Sequence, residues 1–359
     1  MKKTIYLNGR FLTQQLSGVQ RSAFEVIKAL DNLIDENLTS DQYDFILLYS
    51  GELRGKPSFK HIKLQCKGLL KGNLWEQFEL PVYTGKKLLI SLCSISTLFK
   101  KNQLVLVHDA SFFINKHFFS KAFGRWYRYA IPRLAKTARH IITVSNFSKS
   151  ELLKYCDIKP EGITVIYNSA EHLLNVEEPG DEFKERIKKL KPYCLAVSNI
   201  AANKNFGGLS VAINKVNFSQ YKMLIAGGQL SSLAYAPPSS TATYLGYVTD
   251  QELRYLYKNA SLFIFPSFYE GFGIPPLEAM ISGCPVIASN TSSLPEVLGD
   301  ASAYFNPADT DDMAKEIELL LNDNERLETL RIKGFEQASR YSWKNSAQKL
   351  YDLIETYGE

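Results

Sequence analysis

The 359-residue sequence lacks several features that would assign it to a specialised class. No run reaches the roughly 18 uninterrupted apolar residues of a membrane-spanning helix. The first ten residues, MKKTIYLNGR, lack the apolar core and small-residue cleavage site of a signal peptide. These absences predict a cytoplasmic protein. Its 45% hydrophobic and 22% charged residues are typical of a globular chain long enough for two domains.

Cysteine and glycine patterns exclude further classes. The five cysteines are scattered and odd in number, and no two form a C-x-x-C pair, so neither disulfides nor a zinc site is predicted. The acidic run Asp309–Asp312 is interpreted as a helix cap, and no metal or cofactor is expected. No G-x-G-x-x-G motif opens a strand-helix unit, which argues against a dinucleotide oxidoreductase.

Acidic residues are also missing between Ala110 and Ser150, where eight lysines and arginines occur. From residue 121 to 140 these cations alternate with aromatic and aliphatic residues, as in a helix that lies on a membrane surface. Three interpretations stay open: a helix that packs its aromatics inward, attraction to anionic lipid, and nucleic-acid binding. No recognised nucleic-acid motif accompanies the charge, so no nucleic-acid partner is predicted.

Short apolar runs alternate with helical periodicity along the chain, which is typical of α/β folds with parallel sheets. The charged segment Glu177–Pro192 divides this alternation into two series. We predict two Rossmann-like, doubly wound domains facing a cleft, residues 1–175 and 176–345, with a C-terminal helix, 346–359, packing back on the first. The predicted strands are KTIYLNG, YDFILLYS, KLLISLC, QLVLVHD, HIITVS and ITVIYN, then YCLAVSN, KMLIAGG, TATYLGYV, SLFIFP, PVIAS and SAYFNP.

Two glutamates, Glu270 and Glu278, lie eight residues apart around a bend that follows the predicted strand SLFIFP. Open α/β sheets bind ligands at the carboxyl ends of their strands. Gly271 and Gly273 let the backbone approach a ligand closely, and Pro275–Pro276 suits the first turn of a helix, whose amides attract an anion. A carboxylate beside a phosphate is unfavourable unless it binds something else. Sugar hydroxyls are suited to be that partner.

The segment EGFGIPPLE and the residues after it, AMISGCPVIASNTSSLPEVLGDASAYFNPAD, closely resemble the E-x7-E region of the retaining glycosyltransferases of family 4, which have the GT-B fold. The resemblance extends to SGVQRSAFEV, WEQFELP, VHDASFF, ITVSNFSKSEL, VIYN, SNIAANKNF, LGYVTDQELRYLY and SRYSWKNSAQKLY. Within this family the sequence is most similar to bacterial O-antigen and capsule mannosyl- or rhamnosyltransferases.

The resemblance implies a role for each residue of the bend. Glu270 would be catalytic and lie at the transferred sugar, while Glu278 would accept hydrogen bonds from the ribose of the nucleotide. An alternative for Glu278 is stabilisation of the helix dipole from the first turn. The sugar and diphosphate would be held by the amides of Gly271, Phe272, Gly273 and Ile274.

In the N-terminal half, the resemblance implies that His108 contacts the donor sugar and supports the developing charge, as a catalytic residue. A histidine at a strand end is otherwise a structural residue, and Asp109 is expected to orient it. Gly18 and Val19 open the first helix, where the family's glycine loop approaches the phosphates.

In the C-terminal half, the resemblance implies that Lys204 binds the donor diphosphate and offsets the charge of the leaving nucleotide. A solvated loop lysine is the alternative. The family often has an arginine in this stretch, but the matching positions here, Ser198 and Asn203, are neutral, so Lys204 acts alone or with another cation such as Arg21. Contacts with the base are assigned to Tyr247 and Val248.

The expected reaction is transfer of a hexose from a nucleotide-diphosphate sugar, with retention at the anomeric carbon and without a metal. GDP-mannose is the first choice of donor, dTDP-rhamnose the second, and UDP-hexoses stay open. The expected acceptor is a glycan or a polyprenyl-diphosphate-linked oligosaccharide bound by the N-terminal domain. Peripheral contact with the inner face of the cytoplasmic membrane, and association with other polysaccharide-assembly transferases, are compatible with this function.

Two other classes of function fit the same architecture. One is a nucleotide-sugar epimerase or phosphorylase, and the other is a non-catalytic partner that binds sugar nucleotides. Both motif glutamates, His108 and Lys204 are present, which argues against the second. The residues do not distinguish a covalent double displacement from attack on the leaving-group face.

Overall fold

The computed structural model describes residues 2–36, 39, 41–114, 119–197, 201–216, 220–227 and 242–358. The chain forms two compact units. Unit 1 comprises Met1–Asn168 and Ser342–Glu359, and unit 2 comprises Ser169–Tyr341. No helix among the described residues is both long and apolar enough to cross a membrane.

Unit 1 contains a parallel sheet whose strands lie in the order β3-β2-β1-β4-β5-β6-β7. Its strands are β1 (Lys3–Asn8), β2 (Tyr43–Tyr49), β3 (Lys63–Cys66), β4 (Leu89–Ser91), β5 (Gln103–Leu106), β6 (His140–Thr143) and β7 (Ile163–Val165). The central strands β4, β5 and β6 are buried at every position, as strands covered on both faces must be.

Unit 2 contains a second parallel sheet, in the order β10-β9-β8-β11-β12-β13. Its strands are β8 (Tyr193–Val197), β9 (Lys222–Ala226), β10 (Ala242–Gly246), β11 (Leu262–Phe265), β12 (Val286–Ser289) and β13 (Ala303–Phe305). Both sheets therefore have the Rossmann-type strand order, and the prediction of two doubly wound α/β domains is confirmed.

Helices connect most of the successive strands in both units. The α-helices are α1 (Gly18–Asp35), α2 (Gly72–Leu74), α3 (Leu80–Thr84), α4 (Ser111–Ile114), α5 (Lys121–Thr137), α6 (Asn146–Tyr155), α7 (Asp181–Lys188), α8 (Phe206–Ile213), α9 (Asp250–Asn259), α10 (Ile274–Ile281), α11 (Leu294–Leu298), α12 (Thr310–Leu321), α13 (Asn324–Ala338) and α14 (Trp343–Tyr357). A π-helical turn, Trp75–Glu79, joins α2 to α3. Within unit 1, α14 packs against α1.

Each sheet has a point at which the strand order reverses, and this is where α/β sheets bind ligands. In unit 1 the reversal lies between β1 and β4, and in unit 2 it lies between β8 and β11. The loops that leave the carboxyl ends of these strands are therefore the first places to look for a site.

Several local predictions need correction. The strand predicted as KLLISLC is shorter, Leu89–Ser91, because a turn bond from Lys87 N to Thr84 O precedes it. The basic helix predicted to reach residue 140 ends at Thr137, where Ala138 turns extended and leads into β6. Strand β3 was not predicted, because its short sequence KLQC is exposed at every position and carries no apolar pattern. The predicted cap is confirmed, since the Asp309 carboxylate accepts from the amides of Asp311 and Asp312 at the start of α12.

Candidate active site

Two loops meet at the carboxyl edge of the unit 2 sheet, one after β8 and one after β11. The Phe268 amide donates to Asn203 O at 2.8 Å, and Asn203 Nδ2 donates to Tyr269 O at 3.3 Å. This pairing brings Lys204 Nζ to 2.6 Å from Glu270 Oε1. Two residues predicted as catalytic therefore form an ion pair at the point where the strand order reverses.

The surroundings of this pair hold it in place. Its side chains are only 18% and 12% exposed, so solvent screens the attraction weakly. Lys204 Nζ also lies 5.7 Å from the centre of the Phe265 ring. The Glu270 amide donates to Ser292 Oγ at 3.1 Å, and Ser293 Oγ donates to Glu270 O at 3.0 Å. The carboxylate is thus anchored through its own backbone.

Asn205 fixes the loop on the Lys204 side. It adopts a left-handed conformation, with φ of 54°, which asparagine tolerates better than most residues. Its Oδ1 accepts from the Gly208 amide at the start of α8, and its Nδ2 donates to Pro307 O at 2.8 Å. Both ends of the amide are used, so the turn that presents Lys204 is rigid.

The bend after Glu270 leads into α10 through Gly273, whose φ is 98°. A Cβ at Gly273 would lie 2.7 Å from Leu294 Cδ2, so only glycine fits without displacement. Helix α10 begins at Ile274, one residue before the expected start, and Pro275 and Pro276 have no N–H. The amide donors at this helix start therefore precede Pro275, and binding of a sugar diphosphate by the amides of residues 271–274 stays a prediction.

Glu278 is buried and bonded at both oxygens. Its Oε1 lies 3.0 Å from His172 Nε2, and its Oε2 accepts from Tyr257 Oη at 3.1 Å. Burial, with the charge of Glu278 adding to it, raises the pKa of Tyr257 well above its ordinary value, so this phenol stays a donor. Glu278 lies beyond the first turn of α10, so the alternative of helix-dipole stabilisation from the first turn is wrong.

His108 lies after β5 in unit 1 and is 92% buried, with 8% exposed. Its Nε2 lies 3.0 Å from Leu92 O, its amide donates to Ser94 Oγ, and its carbonyl accepts from Ser148 Oγ. Burial lowers the pKa of His108 to about 4, and the bond to Leu92 opposes this only in part. The imidazole is therefore neutral at pH 7, with Nε2–H donating and Nδ1 left as an acceptor.

The structure describes the remaining predicted residues except Ser198, and their roles stay predictions. Asp109 Oδ1 accepts from the amide and the hydroxyl of Ser111, which begins α4. Gly18 and Val19 start α1. Tyr247, 77% exposed, and Val248 follow β10. Arg21 pairs with Glu25 inside α1, and Ser198 lies outside the described residues.

In the described part of the chain, no three or more histidine, cysteine, aspartate or glutamate side chains gather as they would around a metal ion. The positive charge in the unit 2 site comes from Lys204, and further polarity comes from the amides at the start of α10.

Sequence reasoning missed the partners of the site residues. His172 lies in a short 3-10 turn, Glu171–Leu173, where no periodic pattern distinguishes it. Tyr257 belongs to the buried stripe of α9, which predicted packing but not a bond to Glu278. The segment SNIAANKNF was interpreted for its lysine, although Asn205 in the same segment could have predicted a left-handed turn.

We expect Gly273→Ala to destabilise the fold more than Gly283→Ala. Both glycines have positive φ, 98° and 78°, so both substitutions cost about 1–2 kcal/mol in backbone strain. Only at Gly273 does the new Cβ also meet a buried side chain, because Gly283 has nothing within 4 Å. The measurement is the free energy of unfolding in urea. Equal losses in the two variants would contradict the close approach at Leu294.

We expect His108 to make the protein sensitive to acid. The unfolded histidine has a pKa of about 6.5 and the folded one about 4, so the unfolded chain binds the proton first as the pH falls. The contribution of neutral His108 to the free energy of unfolding is therefore complete above about pH 6.5 and is lost towards pH 4. Between pH 7.5 and 4.5 the parent should therefore lose about 2–3 kcal/mol more unfolding free energy than His108→Gln.

Chemical denaturation at both pH values checks this expectation. Buried His140, whose pKa burial also lowers, is present in both proteins, so its contribution cancels in the comparison. An identical loss in the parent and in His108→Gln would show that folding does not lower the pKa of His108.

Comparison with known proteins places this geometry in a family. The family model described as glycosyl transferases group 1 matches residues 178–337, and the one described as glycosyltransferase family 4 matches residues 91–171. The O-antigen chain mannosyltransferase B of Escherichia coli is 32% identical, with 66% of each chain covered. The O-antigen chain mannosyltransferase RfbU of Salmonella typhimurium is 30% identical, over 66% of this chain and 65% of that one. The chain thus spans just under two thirds of these relatives.

Solved structures agree on the fold. Sucrose-phosphate synthase from Thermosynechococcus elongatus superposes with a TM-score of 0.76 at 16% identity, and 99% of each chain is covered. WaaG, a glycosyltransferase involved in lipopolysaccharide biosynthesis, gives a TM-score of 0.72 at 12% identity, over 98% of this chain and 99% of that one. With its two Rossmann-type sheets and the loop motif after β11, the chain belongs to glycosyltransferase family 4 and has the GT-B fold.

Proposed function

We propose that this protein transfers a hexose from a nucleotide-diphosphate sugar to a glycan acceptor in the synthesis of a surface polysaccharide. The observation that carries the proposal is the Lys204–Glu270 ion pair, 2.6 Å long, beside the bend that leads into α10. In this proposal Lys204 supplies a cation that binds a diphosphate, and Glu270 supplies a carboxylate that binds sugar hydroxyls. The relatives that are O-antigen mannosyltransferases support the same function.

The ion pair suggests how the donor is received. Without a ligand, Glu270 and Lys204 neutralise each other in a poorly solvated place. A diphosphate carries more negative charge than one carboxylate, so it competes for Lys204 and releases Glu270. The freed carboxylate then accepts hydrogen bonds from the sugar. In this proposal, binding of the diphosphate prepares the group that holds the hexose.

The same groups would stabilise the transition state. As the bond between sugar and diphosphate breaks, negative charge grows on the diphosphate, next to Lys204 and the amides of residues 271–274. Glu270 stabilises the positive charge of the oxocarbenium-like sugar. The acceptor hydroxyl attacks from the leaving-group face and gives its proton to a diphosphate oxygen. The anomeric configuration is therefore retained.

GDP-mannose is the proposed donor, because mannosyltransferases are prominent among the relatives. dTDP-rhamnose and UDP-hexoses are the other donors to test, and one structure of similar fold, HepE from Anabaena, was solved with UDP-glucose (TM-score 0.69, 16% identity, 99% of this chain and all of that one). Lys204 and the amides supply the positive charge, so we propose that the reaction proceeds without a metal.

We expect Lys204→Met and Glu270→Gln each to lower turnover by about 10²–10³-fold, since each removes a charge that acts in the transition state. Transfer of radiolabelled hexose from each donor, in the presence of EDTA, is the measurement. NMR of the product reads the anomeric configuration. Lys215→Met is the matched control, because Lys215 also pairs with an acid, Asp311, but on the exposed surface of unit 2.

Lys215→Met should keep near-parent activity. Turnover by Lys204→Met or Glu270→Gln equal to that of Lys215→Met would exclude the role assigned to that residue. An isomerised donor in the absence of acceptor would instead indicate an epimerase, and loss of activity in EDTA would overturn the metal-free reaction.

We also propose that α5 contacts an anionic membrane. Trp126 and Tyr127 pack partly against the unit 1 core, as the inward-packing interpretation expects, but Phe123 and Tyr129 are 45% and 56% exposed. The same helix carries the exposed cations Lys121, Arg125, Arg133 and Lys136, and Arg133 lies 5.9 Å from the centre of the Tyr129 ring. Such a surface suits the boundary of lipid headgroups, where each cation contributes about 1 kcal/mol.

We expect Arg125→Gln with Arg133→Gln to weaken co-sedimentation with vesicles that contain phosphatidylglycerol, with little change for neutral vesicles. Arg128 and Arg139 are left in place because they donate to the carbonyls of Phe112 and Tyr357. The control is Lys154→Gln, which changes a cation already paired with Glu151. Equal co-sedimentation of the parent and the arginine variant would remove the membrane contact.

A further inference from the structure

Unit 1 contains a cavity of about 460 Å³ that no part of the proposed mechanism uses. Its volume lies within the range of small-molecule sites. Loops from three neighbouring strands form its walls, because they leave the carboxyl ends of β1, β2 and β3. The lining residues are Arg10, Thr13, Gln14, Ser50, Gly51, Glu52, Leu53, Arg54, Lys71 and Gly72.

The walls of the cavity are tied to one another. The Arg54 amide donates to Leu12 O at 2.8 Å, which joins the loops after β1 and β2. Ser50 Oγ donates to Leu70 O at 2.5 Å, which joins the loops after β2 and β3. The cavity is therefore a fixed feature of the unit 1 fold rather than a gap between independent loops.

The lining is basic. Arg10, Arg54 and Lys71 face one acid, Glu52. Arg10 is also paired with Glu76, which is 2% exposed and does not line the cavity. One positive charge remains in excess after both acids are counted. Glu76 accepts from one Arg10 nitrogen, Nη1, and a guanidinium has five N–H donors.

An apolar surface adjoins this cavity. Leu74, Phe78 and Val82 follow Lys71 and Gly72 at intervals of four residues along α2, the π-helical turn and α3, and they are 58%, 57% and 73% exposed. Leu69 and Leu70, on the other side of Lys71, are 93% and 37% exposed. Large apolar side chains exposed in one continuous segment indicate a binding surface.

This exposure is built into the fold. The Glu79 carboxylate accepts from the amides of Leu69 and Leu70, and Trp75, 1% exposed, donates from its indole to Lys67 O at 2.7 Å. The loop that carries the leucines is thus fastened to the helix that carries Phe78. Since burying Trp75 turns the opposite side of this helix to solvent, the apolar side chains stand outside the core.

We propose that unit 1 binds a diphosphate that carries a long hydrocarbon chain, with the diphosphate in the basic cavity and the hydrocarbon along Leu74, Phe78 and Val82. Arg10, Arg54 and Lys71 contact the phosphate oxygens. This inference rests on the proposed function, in which such a molecule carries the acceptor glycan. The binding itself does not depend on glycosyl transfer.

Isothermal titration with sodium pyrophosphate and with farnesyl diphosphate tests the proposal. All proteins carry Lys204→Met, which weakens the diphosphate site proposed in unit 2. Arg54→Gln with Lys71→Gln should weaken binding of both ligands at least about tenfold, a loss of about 1.4 kcal/mol. Lys101→Gln with Lys159→Gln makes the same charge change at exposed positions of unit 1 outside the cavity, and should leave binding unchanged.

The hydrocarbon part is tested separately. Leu74→Ser with Phe78→Ser should weaken farnesyl diphosphate about tenfold and leave pyrophosphate unchanged, because it removes apolar contact only. Both side chains are exposed, so an unchanged unfolding temperature is expected and is measured first. In an activity assay of proteins that retain Lys204, Arg54→Gln with Lys71→Gln should raise the KM for a lipid-linked acceptor and leave the KM for the donor unchanged.

Each outcome decides a distinct point. Pyrophosphate binding by Arg54→Gln with Lys71→Gln equal to that of the Lys101 and Lys159 control would overturn the cavity as a diphosphate site. Equal binding of farnesyl diphosphate by Leu74→Ser with Phe78→Ser and by its parent would overturn the hydrocarbon path and leave a site for free phosphates. Intact binding in these proteins, together with no transferase activity in the parent that retains Lys204, would contradict the proposed function and not this inference.

Discussion

The site in unit 2 depends on one ion pair, between Lys204 and Glu270, 2.6 Å apart and mostly withdrawn from water. Either charge alone would be costly in this place, because a partly buried charge without a partner loses its hydration. The pair therefore holds both side chains in place. In the proposed function, a diphosphate replaces the carboxylate as the partner of the lysine.

The parallel sheets determine where such a pair can form. In unit 2 the loops after β8 and β11 leave neighbouring strands. The chain continues from β8 to β9 on one side and from β11 to β12 on the other, so the two loops diverge and leave a crevice between them. Backbone constraints then fix their detail. Asn205 and Gly273 adopt left-handed conformations on either side of the pair, and each is held by contacts that other residues would not reproduce. The turns thus position the two charged side chains, and the strands position the turns.

Much of this was predictable from the sequence, and the rest was not, for physical reasons. Buried strands and helix starts have periodic or capping signals, so the two sheets and the start of α10 at Ile274 were expected to within a few residues. Glu270 and Lys204 were predicted as site residues because their motifs are distinctive, and the structure pairs them, while their catalytic roles stay predictions. The partners of Glu278 were missed, because contacts such as that of His172 span 106 residues in the chain and leave no local pattern. The cavity in unit 1 was missed for the same reason, since three separate loops form it.

Buried polar groups in the two units follow a common rule, which bears on specificity. Glu278 is bonded at both oxygens, Glu76 is bonded by Arg10 and by Asn8, and His108 is kept neutral by burial. Both oxygens of Glu278 and of Glu76 are bonded within the protein, although a carboxylate oxygen can accept a further bond. Lys204 and Glu270 differ, because each can exchange one charged partner for another. A change of partners on ligand binding is therefore expected at this pair, while the two buried carboxylates keep the surrounding elements in place.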